Sequence, residues 1–263
     1  MIPKKIHYCW FGGNPLPESA KKCIESWKKF FPAFEIIEWN EKNFDVNCCD
    51  YVKEAYNAQK YAFVSDYARF VILYNEGGIY FDTDVEVIKS FEHILKYGGF
   101  MGIESLDEKN NVCVNPGLGL AIPPKHHLYK ELMDGYKNRH FINDDGTYNL
   151  TTVVKYTSEC LKKHGLINKS QIQDIEGIII YPEEYFCPLS YDTGELKITP
   201  NTLSIHHYSA TWLNDEDKYF HNLKRKFRKV LGVSLGSYFA KFIAIIKYEG
   251  LNGIIKKIRR RKK

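Results

Sequence analysis

Two aspartates separated by one residue, Asp82 and Asp84, are the side chains of this sequence with the clearest chemical potential. They follow the apolar run Ile79-Tyr80-Phe81, which is typical of a buried strand. Residues two apart in an extended chain point to the same side, so both carboxylates are predicted to project together from a strand end. Adjacent carboxylates repel each other, and a cation relieves that repulsion. Hard oxygen ligands favour Mn²⁺ or Mg²⁺, so we predict a metal site here rather than a solvated acidic turn.

The segment before the aspartates predicts a helix that must position them. Its apolar face is formed by Phe63, Tyr67, Phe70, Val71 and Tyr74, at three- and four-residue spacing. Gly77 and Gly78 end this helix, because glycine tolerates the left-handed conformation of a C-cap. Further upstream, Lys5–Phe11 and Phe34–Trp39 are predicted strands on either side of a helix over Pro15–Phe31. Strand, helix and strand in this order favour a right-handed βαβ unit in a nucleotide-binding half.

The stretch SDYARFVILYNEGGIYFDTD, from Ser65 to Asp84, resembles the sugar-nucleotide signature of the DXD glycosyltransferases of family 32. That family includes bacterial capsular polysaccharide transferases, yeast initiating mannosyltransferases and the clostridial glucosylating toxins. Weaker similarity extends to about Trp212. The resemblance implies an α/β, GT-A-like nucleotide-sugar-binding fold with a mixed central sheet. It also implies that Asp82 faces ribose and metal, and that Asp84 is a direct metal ligand.

The resemblance assigns further residues to the nucleotide sugar. It implies that the aromatic ring of Trp10 packs on the base and that Cys9 supplies backbone contacts, although composition alone favours a core role for Trp10. Asp66 and Arg69, three apart on the predicted helix, are a surface ion pair in the simplest interpretation. The family motif instead implies that Asp66 accepts hydrogen bonds from ribose, while Arg69 contacts the base or orients Asp66. Gly78, Tyr80 and Trp212 complete the implied donor site.

Two later segments carry further candidates. The sequence His206-His207-Tyr208-Ser209-Ala210-Thr211-Trp212 resembles the closing element of the family. Neighbours in a strand face opposite ways, so one histidine is expected to meet the metal or the phosphates; His207 is favoured and His206 is the alternate. Asn115 opens a predicted glycine-interrupted strand over 115–122. It is predicted either to orient a sugar hydroxyl, which makes it a catalytic candidate with Asp82 and Asp84, or to cap a turn.

Composition restricts the broad class of protein. The chain has 263 residues, long enough for one large α/β domain, with a net charge of +5 and seven cysteines. An odd number of cysteines without regular spacing favours reduced thiols in a cytoplasmic protein. The N-terminus lacks the apolar run of a signal peptide, and no segment has the ~20 apolar residues of a transmembrane helix.

The character of the chain changes near its C-terminus. We predict a GT-A catalytic domain over residues 1–215 and a basic, amphipathic helical extension over 216–263. Such an extension suits peripheral contact with an anionic membrane at the inner face of the plasma membrane; the alternative is a helix packed on the catalytic domain. No nucleic-acid reading motif accompanies the charge, so nucleic-acid binding is not expected.

The resulting hypothesis is a metal-dependent retaining hexosyltransferase. It takes its donor from a nucleotide-diphosphate sugar, with UDP favoured over GDP. Its acceptor is a sugar hydroxyl of an oligosaccharide or lipid-linked saccharide in capsular or surface polysaccharide synthesis. A protein-glucosylating effector with the same donor site and an inactive glycan- or nucleotide-sugar-binding module are the alternatives. The sequence also predicts a helix over 147–163. Family members often carry a Gly-Pro element near this position, close to the acceptor, and this chain has a different sequence there.

Overall fold

The computed structural model describes residues 1–209 and 215–260, which fall into two compact units. The larger unit comprises Met1–Pro188 and Ile198–His207, and the smaller unit comprises Leu189–Lys197 and Tyr208–Lys263. The strands are β1 Lys5–Cys9, β2 Glu35–Trp39, β3 Gly78–Tyr80, β4 Val85–Val87, β5 Gly99–Leu106, β6 Val112–Val114, β7 Leu120–Ile122, β8 Gln173–Ile175, β9 Ile178–Tyr181 and β10 Ser204–His206. The helices are α1 Glu18–Phe30, α2 Asp50–Asn57, α3 Tyr61–Glu76, α4 His127–Asp134, α5 Val153–Lys163, α6 Glu183–Phe186, α7 Asp215–Leu231 and α8 Val233–Arg260.

The larger unit is built on a mixed sheet of eight strands. Its order is β2-β1-β3-β7-β5-β9-β8, with β6 paired to β5. β1 runs parallel to both β2 and β3, whereas β7 is antiparallel to β3 and β5. The predicted α/β class with a mixed central sheet is therefore confirmed, as is the parallel pairing of the two strands that flank α1.

A second, two-stranded sheet lies beside the first. β4 and β10 pair antiparallel, with Val85 opposite His206 and Val87 opposite Ser204. The indole nitrogen of Trp27 on α1 donates to Val85 O over 2.7 Å, and this fixes β4 to the first helix. This small sheet brings His206 and His207 close to the residues that follow β3.

Helix α3 runs through the core of the larger unit. Phe63, Val64, Ala68, Phe70 and Leu73 are buried along it, and burying each of the large side chains contributes about 1.5–3 kcal/mol. The helix ends at Glu76, where Gly77 takes a φ of 64° and Gly78 a φ of 98°, as the sequence predicts. A Cβ on Gly78 would lie 2.7 Å from Lys5 O, so glycine also allows β3 to approach β1.

Several predicted elements are wrong at their bounds: the first strand ends at Cys9 and the first helix begins at Glu18. Two later elements differ more. The helix predicted over 147–163 begins at Val153, because the hydroxyl of Thr152 accepts from Lys155 N and caps it, while Tyr148 pairs with Ile142 in an isolated bridge. The strand predicted over 115–122 is a 3₁₀ turn at Pro116–Leu118 followed by β7. Pro116 has no N–H to donate to a strand ladder, which explains the interruption.

The smaller unit is helical. α7 and α8 are joined at Gly232, with a φ of 75°, and α8 bends at Gly250, with a φ of 66°. Ala240 and Ala244 form the buried face of α8. In the part of the chain that the structure describes, no helix combines the length and apolar character needed to cross a bilayer.

Candidate active site

The two aspartates follow β3 in a turn rather than in extended chain. Val85 N donates to Asp82 O over 3.0 Å, which closes a turn around Thr83 and Asp84. The expectation of an extended Asp-x-Asp segment is therefore wrong. The carboxylates nevertheless converge, because one ligand atom each from Asp82, Asp84 and His206 lies within 4.8 Å of the others.

The structure brings His206, rather than the favoured His207, to the aspartates. His206 Nε2 lies 3.1 Å from Asp84 Oδ1, and its side chain is 10% exposed. His207 faces the other way, with Nε2 2.8 Å from Glu86 Oε2. The reason is register: His206 is opposite Val85 in the small sheet, so its ring turns toward the preceding Asp84. Of these two neighbours, His206 meets the aspartates and His207 does not, as strand alternation predicts.

Arg69 links Asp66 on α3 and Asp82 after β3 into one ionic network. Its Nη2 lies 2.8 Å from Asp66 Oδ1 and 3.2 Å from Asp82 Oδ1. Tyr80 donates its hydroxyl to Asp82 Oδ1 over 3.1 Å, and the Arg69 guanidinium stands 5.0 Å from the centre of the Tyr80 ring. The Arg69 side chain is 3% exposed, so this is not the surface ion pair of the simplest interpretation. Within the described ranges, Arg69 Nη1 is a buried nitrogen without a hydrogen-bond partner.

The carboxyl groups of this network repel one another in a dry environment. Burial raises the pKa of Asp66 to about 7; Arg69 opposes that rise and Asp82 adds to it. Burial also raises the pKa of Asp82, against the charge of Arg69, and Asp84 raises it further. Burial disfavours the charged imidazole of His206, but the neighbouring carboxylates, with Asp84 first among them, together raise the pKa of this histidine. Added positive charge at this place would relieve the repulsion.

The remaining donor-site candidates lie around this network. Cys9 is buried at the end of β1 next to Tyr80 and Arg69, and burial raises the pKa of its thiol to about 12. Trp10 follows β1, is only partly buried, and donates its indole N–H to Asn14 O over 2.6 Å. Gly78 is buried against β1. Trp212 lies outside the described residues.

Asn115 holds the turn that closes one side of the aspartates. Its Oδ1 accepts from Gly117 N over 2.7 Å, and its Nδ2 donates to Glu104 Oε1 over 3.1 Å. Of the two roles predicted for Asn115, contact with a sugar hydroxyl and capping of a turn, these hydrogen bonds correspond to the turn cap. A Cβ at Gly117 would collide with Asp82 Oδ2, so Gly117 shapes the site directly. Sequence reasoning missed Glu104, which lies on β5, and Gly117 as site residues.

The side chains that could act as metal ligands at this site suit a hard divalent cation. Two carboxylates and an imidazole converge, and their side chains are 29%, 17% and 10% exposed for Asp82, Asp84 and His206. Carboxylate oxygens suit Mg²⁺ and Mn²⁺, and an imidazole ligand is common for transition metals. The arrangement can hold such an ion, with Arg69 as a second positive charge beside it.

The segment that supplies most of this network is similar to a known protein family. Residues 17–100 match the family model described as a glycosyltransferase sugar-binding region containing the DXD motif. The matched region includes Asp66, Arg69 and both aspartates of the turn. This match over residues 17–100 confirms the resemblance to DXD glycosyltransferases read from the sequence for that part of the chain.

Individual relatives differ in how much of their length they share with the chain. The Subversion of eukaryotic traffic protein A of Legionella pneumophila is 27% identical over 43% of this chain and 22% of its own length. Inositol phosphoceramide mannosyltransferase 1 of Schizosaccharomyces pombe is 24% identical over 91% of this chain and 71% of its own. The chain spans between 22% and 71% of the curated relatives that it matches. The solved PaToxG glycosyltransferase matches with a TM-score of 0.47 and 18% identity, over 62% of this chain and 69% of that one.

Proposed function

We propose that the protein transfers a hexosyl group from a nucleotide-diphosphate sugar to a sugar hydroxyl, with the help of Mn²⁺ or Mg²⁺. The observation that carries the proposal is the convergence of Asp82, Asp84 and His206 within 4.8 Å, beside the buried guanidinium of Arg69. A diphosphate is dianionic or more at neutral pH, and a metal with a neighbouring arginine suits it. The DXD family match supports the same reaction class.

Each residue of the network has a proposed task toward the donor. Asp82, Asp84 and His206 hold the cation, which when bound neutralises charge on the departing diphosphate. Asp66 accepts a hydrogen bond from the ribose, and Arg69, whose Nη2 lies 2.8 Å from Asp66 Oδ1, orients this carboxylate. The ring of Trp10 stacks on the base, and UDP is favoured over GDP.

We further propose that the transfer retains the anomeric configuration. The bond from the anomeric carbon to the diphosphate oxygen breaks while a bond to the acceptor oxygen forms on the same face, and the diphosphate takes the acceptor proton. No side-chain nucleophile is needed for such a front-face displacement. Isolation of a sugar covalently attached to a side chain would contradict it.

The test is metal-dependent hydrolysis of a panel of UDP- and GDP-sugars. The natural protein is expected to hydrolyse one donor in the presence of Mn²⁺, and Asp84→Asn is expected to lose this activity. Asp144→Asn, at an exposed aspartate outside the site, is the matched control and keeps it. Nucleotide binding without hydrolysis would indicate that an acceptor is obligatory, whereas absence of both would contradict the proposal.

For the acceptor, we propose a lipid-linked saccharide at a membrane surface. The fission yeast relative is named as a mannosyltransferase of inositol phosphoceramide, a membrane lipid, and this supports an acceptor at a membrane. The helix α8 supports it independently, because five apolar side chains at helical spacing are exposed on it: Leu235, Tyr238, Phe239, Phe242 and Ile246. Basic residues accompany the stripe, and the sequence from 256 to 263 contains seven lysines and arginines. Apolar and basic residues together favour an anionic bilayer interface.

Vesicle sedimentation tests the membrane proposal. Binding to phosphatidylserine vesicles is expected to fall when Phe242→Glu removes the apolar character of the stripe and when salt is raised. Tyr97→Glu, at an exposed tyrosine of the larger unit, is the control for added charge and leaves binding unchanged. Equal binding to neutral and anionic vesicles, or none to either, would contradict the proposal.

A protein acceptor is the second candidate. It is supported by the similarity to the Legionella protein, whose name states that it subverts eukaryotic traffic. The two candidates separate in one experiment: with a radiolabelled donor, label is found in an extracted lipid saccharide in the first case and in polypeptide in the second.

A further inference from the structure

A second cluster of metal-ligating side chains lies among the helices of the larger unit. Glu131 on α4, Cys160 on α5 and His164 at the end of α5 each bring one ligand atom within 4.8 Å of the others. Cys160 and His164 are four residues apart, so they share one face of α5. The Cys160 side chain is buried, whereas Glu131 and His164 are partly exposed, so the cluster reaches the protein surface on one side.

The hydrogen bonds of His164 match those of a metal-binding histidine. Its Nε2 lies 2.7 Å from Glu131 Oε2, on the side of the cluster, and its Nδ1 lies 3.0 Å from Glu176 Oε1. A ligating histidine usually donates its other ring nitrogen to a carboxylate, which fixes the tautomer and the ring orientation. Glu176 is placed for this role in the turn between β8 and β9, where it takes a φ of 52°, and His127 holds its other carboxylate oxygen.

We propose that Glu131, Cys160 and His164 bind a zinc ion, with His164 Nε2, the Cys160 thiolate and one Glu131 oxygen as ligands. Zinc takes mixed sulfur, nitrogen and oxygen ligands at about 2.0–2.3 Å, and three protein ligands leave its fourth position open to water. The sulfur ligand separates this site from the oxygen-rich one at Asp82, because thiolates select zinc over Mg²⁺ and Mn²⁺. Glu176 is a positioning residue for His164. The ion would join α4, α5 and the β8–β9 turn, independently of any glycosyl transfer.

Cobalt substitution tests the proposal without reference to activity. Co²⁺ bound through a thiolate gives an ultraviolet charge-transfer band that carboxylate and imidazole ligands do not give. The experiment uses the full chain carrying Asp84→Asn, so that the first site contributes little. We expect a saturable band with one equivalent of Co²⁺ and its displacement by Zn²⁺.

Two cysteine variants in that background locate the thiolate. Cys160→Ser is expected to abolish the band. Cys23→Ser is the matched control, because Cys23 is also buried and lies within the electrostatic reach of Asp84; the band is expected to persist. A band that survives Cys160→Ser, or no band in any variant, would overturn the proposal.

Zinc affinity gives a second readout that does not depend on replacing a buried group. Competition with a chromophoric chelator is expected to show affinity weakened by roughly 100-fold or more in Glu131→Gln, and by roughly 10- to 100-fold in Glu176→Gln. Both side chains are 41% exposed, so neither change threatens the fold. Affinity unchanged by both substitutions would mean that zinc binds elsewhere and would contradict the proposal.

Discussion

The cluster of Asp82, Asp84 and His206 and the cluster of Glu131, Cys160 and His164 both place a histidine against carboxylates, but the chain assembles them differently. In the first, both acids come from one turn after a strand, and pairing of β10 with β4 supplies the histidine. In the second, one helix supplies two members and another supplies the third. The first lies beside a buried arginine that is 3% exposed; the second is bordered by carboxylates that are 41% exposed.

This difference shows how surroundings decide which chemistry a similar set of ligands can support. The first cluster combines hard oxygen ligands with the fixed positive charge of Arg69, so it suits a cation bound together with an anionic diphosphate. The second offers a sulfur atom and lacks a buried arginine among the described residues in contact with it, so it suits a softer ion that binds without an anionic substrate. A histidine and a carboxylate by themselves would not distinguish the two.

The largest effect is expected when the two adjacent histidines near the first cluster are substituted one at a time. His206→Ala removes a ligand that lies 3.1 Å from Asp84, and metal-dependent donor hydrolysis is expected to fall by about 100-fold or more. His207→Ala removes a side chain that contacts Glu86, and its effect is expected to stay within about threefold. Steady-state kinetics across a Mn²⁺ titration measures both.

This pair is internally controlled, because both variants change a histidine of the same strand end. The His206 variant should also require more Mn²⁺ for half-maximal activity. A larger loss for His207→Ala would restore the expectation drawn from the sequence. Equal losses would contradict the assignment of the metal to His206 rather than His207.

The same contrast explains what could be predicted from the sequence. The first cluster is encoded mainly in one contiguous motif on a strand end, so its aspartates, its helix α3 and its Gly77 cap could all be predicted from local pattern. The choice between His206 and His207 depends on the register of β10 against β4, which is a long-range property. The second cluster could not be predicted, because Glu131 and Cys160 meet only through the packing of α4 on α5. The role of Gly117 could not be predicted either, because it depends on the distance between Gly117 and Asp82 in the folded chain.

A third histidine, His7, has no carboxylate at hydrogen-bond distance among the described residues. Its protonation is expected to change the free energy of unfolding. His7 is fully buried; its Nε2 donates to Gly77 O over 3.0 Å, and its Nδ1 accepts from the Trp39 indole over 3.0 Å. The accepting nitrogen must stay unprotonated, and burial lowers the pKa of His7 to about 4. The unfolded chain takes a proton near pH 6.5 and the folded chain does not, so stability is complete above pH 6.5 and falls between pH 6.5 and 4. The full loss corresponds to about 3 kcal/mol.

Urea unfolding at pH 7 and pH 4.5 measures this contribution. The natural protein is expected to lose more unfolding free energy between these two pH values than His7→Gln does. The variant is the reference because its amide does not titrate while the carboxylates that also contribute are retained. Parallel losses in the two proteins would show that His7 is not held neutral by the fold.

A smaller effect on activity is expected from Gly117→Ala. The backbone of Gly117 does not take a left-handed φ, so alanine fits the chain, but its Cβ would collide with Asp82 Oδ2. Displacing this carboxylate is expected to reduce donor hydrolysis by roughly 10- to 100-fold while the fold persists. Gly135→Ala is the control: its φ is −59°, and its added Cβ would stand 3.3 Å from Leu132 O, away from the aspartates. Unchanged activity in Gly117→Ala would show that the carboxylate can move without cost.

The smallest expected effect concerns His164, and its sign is opposite to that of His7. Hydrogen bonds that His164 donates to Glu176 and Glu131 raise the pKa of this histidine. In the metal-free protein its contribution to stability is therefore present below pH 6.5 and is lost as the pH rises through the raised pKa. The side chain is 22% exposed and its partners more so, which limits the contribution to below about 1 kcal/mol. Zinc reverses the trend, because the metal requires the neutral imidazole and its stabilisation therefore grows with pH. In the Asp84→Asn background, the melting temperature is measured at pH 6 and pH 8, with EDTA and with Zn²⁺. Relative to His164→Gln in the same background, the contribution of His164 should fall with pH in EDTA and rise with pH in Zn²⁺. A zinc-dependent increment that is the same at both pH values would argue against an imidazole ligand and leave the cluster as an ordinary set of surface ion pairs.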